Sequence, residues 1–313
     1  MIIIDKGMIH STINSSTRQS GLYKVGVSNQ GFDGYTIINC YGVYLENVHN
    51  CTFPLLDLRN VYSLNMRNCN NNTFKKVFID DSWVGLKLNF LCSNNRFEEV
   101  ISTKAKDLST SANGDGIVID NIDCVDNWFG KVVCSDNSDS GIDQQGFGTI
   151  IDDYYAGLGN LHGSKLWGTT VIKKYVSDGA RGNSVLVISG EHTIEKSLLL
   201  NAGSHHIKLG LSSMATLNKK LTITGVADKW PSFSKDSNGT LIESITIGTS
   251  LPTEPIGDYK SMYDALLVKY DALRADLDVA VKSANALQSQ IDVLTLRVAE
   301  YESKVAQIKV IIG

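Results

Sequence analysis

Proline is scarce in this chain: four residues in 313, none beyond Pro255. Past Asp258 two more residue types all but vanish. Asn285 is the one asparagine there and Gly313 the one glycine, against 23 Asn and 26 Gly before that point. One uniform fold would not divide its turn-formers this way, so two different objects share the chain. Other absences narrow the function. No apolar run approaches the roughly 20 residues of a membrane-spanning helix, so membrane insertion is not expected. Met1-Ile2-Ile3-Ile4-Asp5 puts no basic segment ahead of a long apolar stretch, so no secretory signal is expected. The six cysteines form no C-x-x-C, which argues against a zinc or redox motif. A net charge of −4 leaves no basic footprint for nucleic acid. A hydrophobic share of 42% excludes wholesale disorder.

The region poor in turn-formers reads in sevens. One set of positions holds Tyr263, Tyr270, Leu277, Ala284, Ile291, Val298, Val305 and Ile312; three residues later stand Leu266, Leu273, Ala280, Leu287, Leu294, Tyr301 and Ile308. Every one of these positions is apolar or aromatic. A stripe sustained over seven heptads demands a coiled-coil partner, because a lone helix would leave it in water. The helix would be about 75 Å long at roughly 1.5 Å per residue. Its mixed core does not follow the Ile-then-Leu rule for dimers and tolerates a trimer.

The region rich in asparagine is a repeat. Cys69-Asn70-Asn71-Asn72-Thr73-Phe74, Cys92-Ser93-Asn94-Asn95-Arg96-Phe97 and Cys124-Val125-Asp126-Asn127-Trp128-Phe129 read C-x-[N/D]-N-x-F without a gap, and Val48–Phe53 aligns with them. Each Phe is followed three residues on by Leu56, Val77, Val100 or Val132. Each motif is preceded by an alternating strand: Val43/Leu45, Leu64/Met66, Leu86/Leu88 and Ile117/Ile119. Gly42, Gly85 and Gly116 open three of these strands, and Gly141-Ile142 opens a fifth.

The motifs are 21, 23 and 32 residues apart. The first two steps are single coils of a parallel β-solenoid; the third is a coil plus an insertion at residues 103–114. Period-2 alternation turns Leu and Val inward and leaves Tyr44, Asn65, Lys87 and Val118 outward. The asparagines suit tight turns with left-handed backbone, and stacked coils would align them in a ladder. Cys69, Cys92 and Cys124 share one inward position and read as a column of small buried apolar groups in a reduced protein. After Gly141 the repeat blurs, and segments 185–189, 207–211, 221–224 and 241–247 are further coils or a capping β-region. Leu251–Gly257, with two prolines, is a stiff linker. The domains expected are an N-terminal segment 1–20, a solenoid 21–225, a β cap and linker 226–257, and a coiled coil 258–313.

Coils of Gly-opened strands and Asn turns, followed by a trimerising coiled coil, resemble the phage tailspikes of the pectate-lyase-like superfamily. That resemblance implies an all-β, right-handed parallel β-helix, single-stranded, ahead of the α-helical coiled coil. It also implies a homotrimer on a virion, assembled in the host cytoplasm and acting outside the cell. Its partners would be a bacterial surface polysaccharide and a phage tail or adaptor protein. Many members cleave the polysaccharide. A glycan-binding module, a depolymerase and a structural virion fibre or decoration protein all remain open on these residues, and no cofactor is implied.

Hydrolysis of a glycosidic bond needs two carboxylates about 5–9.5 Å apart. With Gly116 and Gly141 aligned, Asp120 and Asp143 stand one coil and two residues apart, roughly 8 Å between Cα atoms. They are the candidate catalytic pair. Asp115, beside the insertion, and Trp128, Tyr154 and Tyr155, as surfaces for sugar rings, are the candidate substrate-binding residues. Asp is abundant in solenoid turns, and the set N-T-D, D-D, G-H-G, R-I-K of polygalacturonases is not present. The spacing of Asp120, Asp123 and Asp126 does not match a calcium loop. His162, His205 and His206 lack metal-ligand spacing, so no metal is expected and they read as solvated loop residues.

Overall fold

A computed structural model describes residues 1–8, 19–106, 114–209, 219–228, 233–234 and 244–248. They form an all-β parallel solenoid of about 8 turns, within the compact unit Met1–Pro252. The coiled-coil reading of 258–313 lies outside the described residues.

Each coil has three faces. The long strand Tyr35–Glu46 shows how the chain passes between two of them. Residues 35–38 belong to the first face and pair with 56–59; residues 42–46 belong to the second and pair with 63–67. Thr52–Phe53 supplies the third face and pairs with Thr73–Phe74. Alternation then decides what is buried. On the second face Val43, Leu64, Leu86, Ile117 and Ile142 stack inward, while Tyr44, Asn65, Lys87 and Val118 follow one another on the outside.

The bends are made by residues that tolerate left-handed backbone. Between the first and second faces, Asn39, Asn60, Asp81, Lys104, Asp136, Gly159, Gly179 and Asn201 occupy one position on successive coils, and all have positive φ. Short polar side chains and glycine, which fill all of these positions but that of Lys104, bear that conformation with little cost. The next bend uses Gly26, Asn47 and Asn68, and then Phe90, with Leu91 beside it also at positive φ.

Two ladders hold the coils together inside. Phe32, Phe53, Phe74, Phe97 and Phe129 stack with ring centroids 4.5–4.8 Å apart and nearly parallel planes. Asn72, Asn95 and Asn127, wholly buried, donate side chain to side chain at 3.0 and 3.1 Å. Each also donates to a backbone carbonyl one coil back (Val48, Cys69, Cys92). Each of these three buried side-chain amides therefore has a partner, as burial demands. Beyond Phe129 the phenylalanine column becomes Ile151, Ile172, Ile194 and Ile223. Tyr155 and Tyr175 then fill the interior elsewhere, stacked at 5.1 Å.

The ladder also takes in Ile2–Asp5, which pairs with residues 35–38, ahead of the expected start at Gly21. Lys219–Ala227 and Ser244–Gly248 pair as further coils, so solenoid strands continue into the region expected to be a cap. All six cysteines are buried and free.

Candidate functional site: a buried carboxylate cluster on the second face

The outer surface of the second face changes character along the axis. Its early coils carry aromatic rings. Tyr23 stacks on Tyr44 at 5.4 Å, Tyr41 on Tyr62 at 5.0 Å, and Tyr62 lies 5.2 Å from Trp83. Trp83 packs on Val84 and Val118. From there the register continues Val118, Asp143, Lys165, Leu186 and Lys208, one residue per coil. A row of rings thus runs into a row of charges.

Those charges are crowded and largely dry. Asp115 is 1% exposed and Asp143 4% exposed. Lys165 donates to Asp139 Oδ2 at 2.5 Å, and the Ser140 amide donates to Asp115 Oδ1 at 2.8 Å. Arg181 pins the turn ahead of Asp139 by donating to the carbonyls of Asn137 and Ser138. Asp143 Oδ1 and the neighbouring Trp167 Nε1 are both buried without a hydrogen bond of ordinary geometry, but the indole N–H still acts on the carboxyl and favours its ionised form.

Burial pushes the Asp115 carboxyl well above its ordinary range; Asp143 and Asp139 add to this, and Lys165 works against it. Burial likewise raises Asp143, again opposed by Lys165 and aided by Asp139. Burial alone would lower the Lys165 ammonium, but Asp115, Asp139 and Asp143 together outweigh it and the lysine stays a cation. Two charges of one sign cannot both be kept dry against a single counter-ion, so part of the cluster holds a proton near neutral pH. A proton donor beside an ionised carboxylate is what general acid–base chemistry requires.

The sequence-selected residues distribute as follows. Asp143 stands opposite Val118, which puts Asp120 two residues further along the neighbouring coil, as the glycine alignment gives. The Asp120 carboxylate pairs with Lys87 at 2.6 Å. The structure brings Asp143 together with Asp115, and adds Asp139 and Lys165. Neither addition was singled out: Asp139 reads as one turn acid among many, and Lys165 lies where the repeat blurs. Its position in the outward column of Asp143 was the available signal.

The aromatic candidates lie elsewhere. Trp128 is on the third face, with the Arg96 guanidinium 3.5 Å over its ring. It adjoins Ile150 in the ladder. Ile150 lines a groove of about 500 Å³ with Thr170, Thr193, Thr222, Glu191 and Lys220. Tyr154 is half-buried opposite Lys131. Tyr155 corrects an expectation: it points inward, wholly buried, and its hydroxyl donates to the Gly163 carbonyl, so it offers no face to a sugar. His206 is another correction. It is buried rather than solvated, between Ser184 Oγ at 3.5 Å and Asp228 Oδ1 at 3.0 Å. This chain has the order of a hydrolase triad, but Ser184 is wholly buried, so its hydroxyl is closed to a substrate. No group of three or more His, Cys, Asp or Glu among the described residues is placed to hold a metal ion.

Comparisons with protein-family models, with curated proteins and with solved structures find no match for this chain.

Proposed function

We propose that this chain is a tailspike-like receptor-binding protein, trimeric through residues 258–312, that recognises a bacterial surface polysaccharide along the second face. The observation that carries this reading is the continuous outer strip from Tyr41 and Tyr62 through Trp83 to Val118 and Asp143. At ~4.8 Å per coil, the strip from Tyr62 to Lys165 is about 19 Å long. The half-buried rings of Tyr62 and Trp83 suit sugars, whose surfaces alternate apolar C–H patches with hydroxyls. Three copies of a shallow site, displayed by one coiled coil, would multiply a weak affinity. The right-handed sense and the virion location belong to the same proposal.

The test is binding of the full-length protein to an array of purified capsular and O-polysaccharides. This reading expects retention on at least one polysaccharide, and at least tenfold weaker retention for Trp83→Ala. No retention on any glycan, with the solenoid folded, would leave the structural-fibre reading, which the stacked Phe and Asn ladders also suit.

A further inference from the structure

Among the described residues, each cation bordering the strip between Tyr41 and Lys165 already has a carboxylate. Arg67 lies 3.9 Å from Glu46, Lys87 2.6 Å from Asp120 and Lys104 3.2 Å from Asp80. Lys106 is 2.5 Å from Asp81, and Lys165 2.5 Å from Asp139. These pairs flank the rings. Lys87 is the ladder neighbour of Val118, on which Trp83 packs. The Lys106 amide donates to the Ser82 carbonyl, next to Trp83 in the chain. Carboxyls are in excess, since Asp115 and Asp143 share the charge of Lys165 with Asp139. Arg181 spends its guanidinium on the carbonyls of Asn137 and Ser138. Lys208 stands two coils past Lys165.

Resting on the function proposed above, we infer that the strip selects an uncharged polysaccharide, one whose repeat carries neither carboxylate nor phosphate, and that the pairs Lys87–Asp120 and Arg67–Glu46 exclude acidic ones. An anionic polymer meets no unpaired cation here. To be held it must open an ion pair, and the released carboxylate then faces it at contact distance. Like charges brought together in this way are how interfaces reject a wrong partner. A hydroxyl meets the same pair differently. It accepts from the ammonium or guanidinium and donates to the carboxylate. Neighbouring hydroxyls of an uncharged sugar therefore satisfy both members without separating them.

The experiment applies the full chain to the polysaccharide array at about 50 and about 500 mM salt, where screening differs severalfold. Each uronate-bearing polymer is also present in a carboxyl-reduced form, in which the acid has become an alcohol and the linkages are kept. Retention should be confined to uncharged polymers. It should change less than about twofold between the two salt concentrations, since salt weakens attraction between charges and leaves ring and hydroxyl contacts in place. Asp120→Asn releases Lys87 and should raise the ratio of acidic to uncharged retention at least about fivefold at low salt. Glu46→Gln releases Arg67 and should move the ratio the same way. A retained polymer that is acidic and lets go at high salt overturns the inference, as does a ratio that stays put in both variants. The two proposals fail differently. No retention of any polymer by the folded protein sinks the function, and this selectivity with it; retention of acidic polymers leaves the function standing and removes the selectivity alone.

Discussion

Asn95 donates its side-chain amide to Asn127 Oδ1 at 3.1 Å and, in the same stroke, to the Cys69 carbonyl at 2.7 Å. Its own Oδ1 accepts the backbone and side-chain N–H groups of Asn72 at 3.1 and 3.0 Å. One side chain therefore ties together the polar groups of successive coils at a point without water. Asn95→Ala should cost more than about 3 kcal/mol, because two donors of Asn72 are left unmet at ~1–3 kcal/mol each. Urea unfolding checks this; a loss below about 1 kcal/mol would mean that the ladder is dispensable.

Phe90 occupies a bend where the preceding coils place Gly26, Asn47 and Asn68, and it has φ 50°. An ordinary L-residue pays roughly 1–2 kcal/mol there. The ring's gain is small, since it is 46% exposed, with the Arg67 guanidinium 5.2 Å over its face. Phe90→Asn should therefore stabilise the chain, by about 1 kcal/mol, and thermal unfolding reads the sign directly.

Asp115 links stability to pH in a definite direction. Its folded value is raised above the unfolded one, so the folded state binds more protons between the two. The contribution is favourable at low pH and is lost as pH rises from the ordinary carboxylate range, ~3.9, through the raised folded value. Asp115→Asn keeps an oxygen for the Ser140 amide but cannot ionise. The stability of Asp115→Asn relative to wild type should therefore grow as pH rises from 4 to 8. Parallel chemical denaturation curves at several pH values test it; a flat difference would show that Asp115 is not held protonated.

Much of this was legible in the residues, and the limits have physical causes. The C-x-[N/D]-N-x-F motif located the Phe stack and the Asn ladder because each coil repeats the same contact. It lost force after Phe129, where isoleucine takes over that column and Asn137 and Asn160 build a second ladder at another corner, 2.9 Å apart. Asp143 was readable from glycine alignment, whereas its partnership with Lys165 needed a register that the blurred repeat hid. Tyr154 and Tyr155 could not be told apart by alternation. A register shift between Ile151 and Tyr155 is what turns Tyr155 inward.

The heptads carry a prediction of their own. Light scattering should give a trimer for the full chain and a smaller species after deletion of residues 258–313. A monomer at full length, or an unchanged trimer after truncation, would remove the coiled coil from the account.

The most direct measurement is a titration of the full-length protein with the purified capsular and O-polysaccharides, read by tryptophan fluorescence. The strip of Tyr62 and Trp83 predicts a saturable change with at least one of them, weakened at least about tenfold in Trp83→Ala. No saturable change with any polysaccharide, from a folded protein, would contradict it.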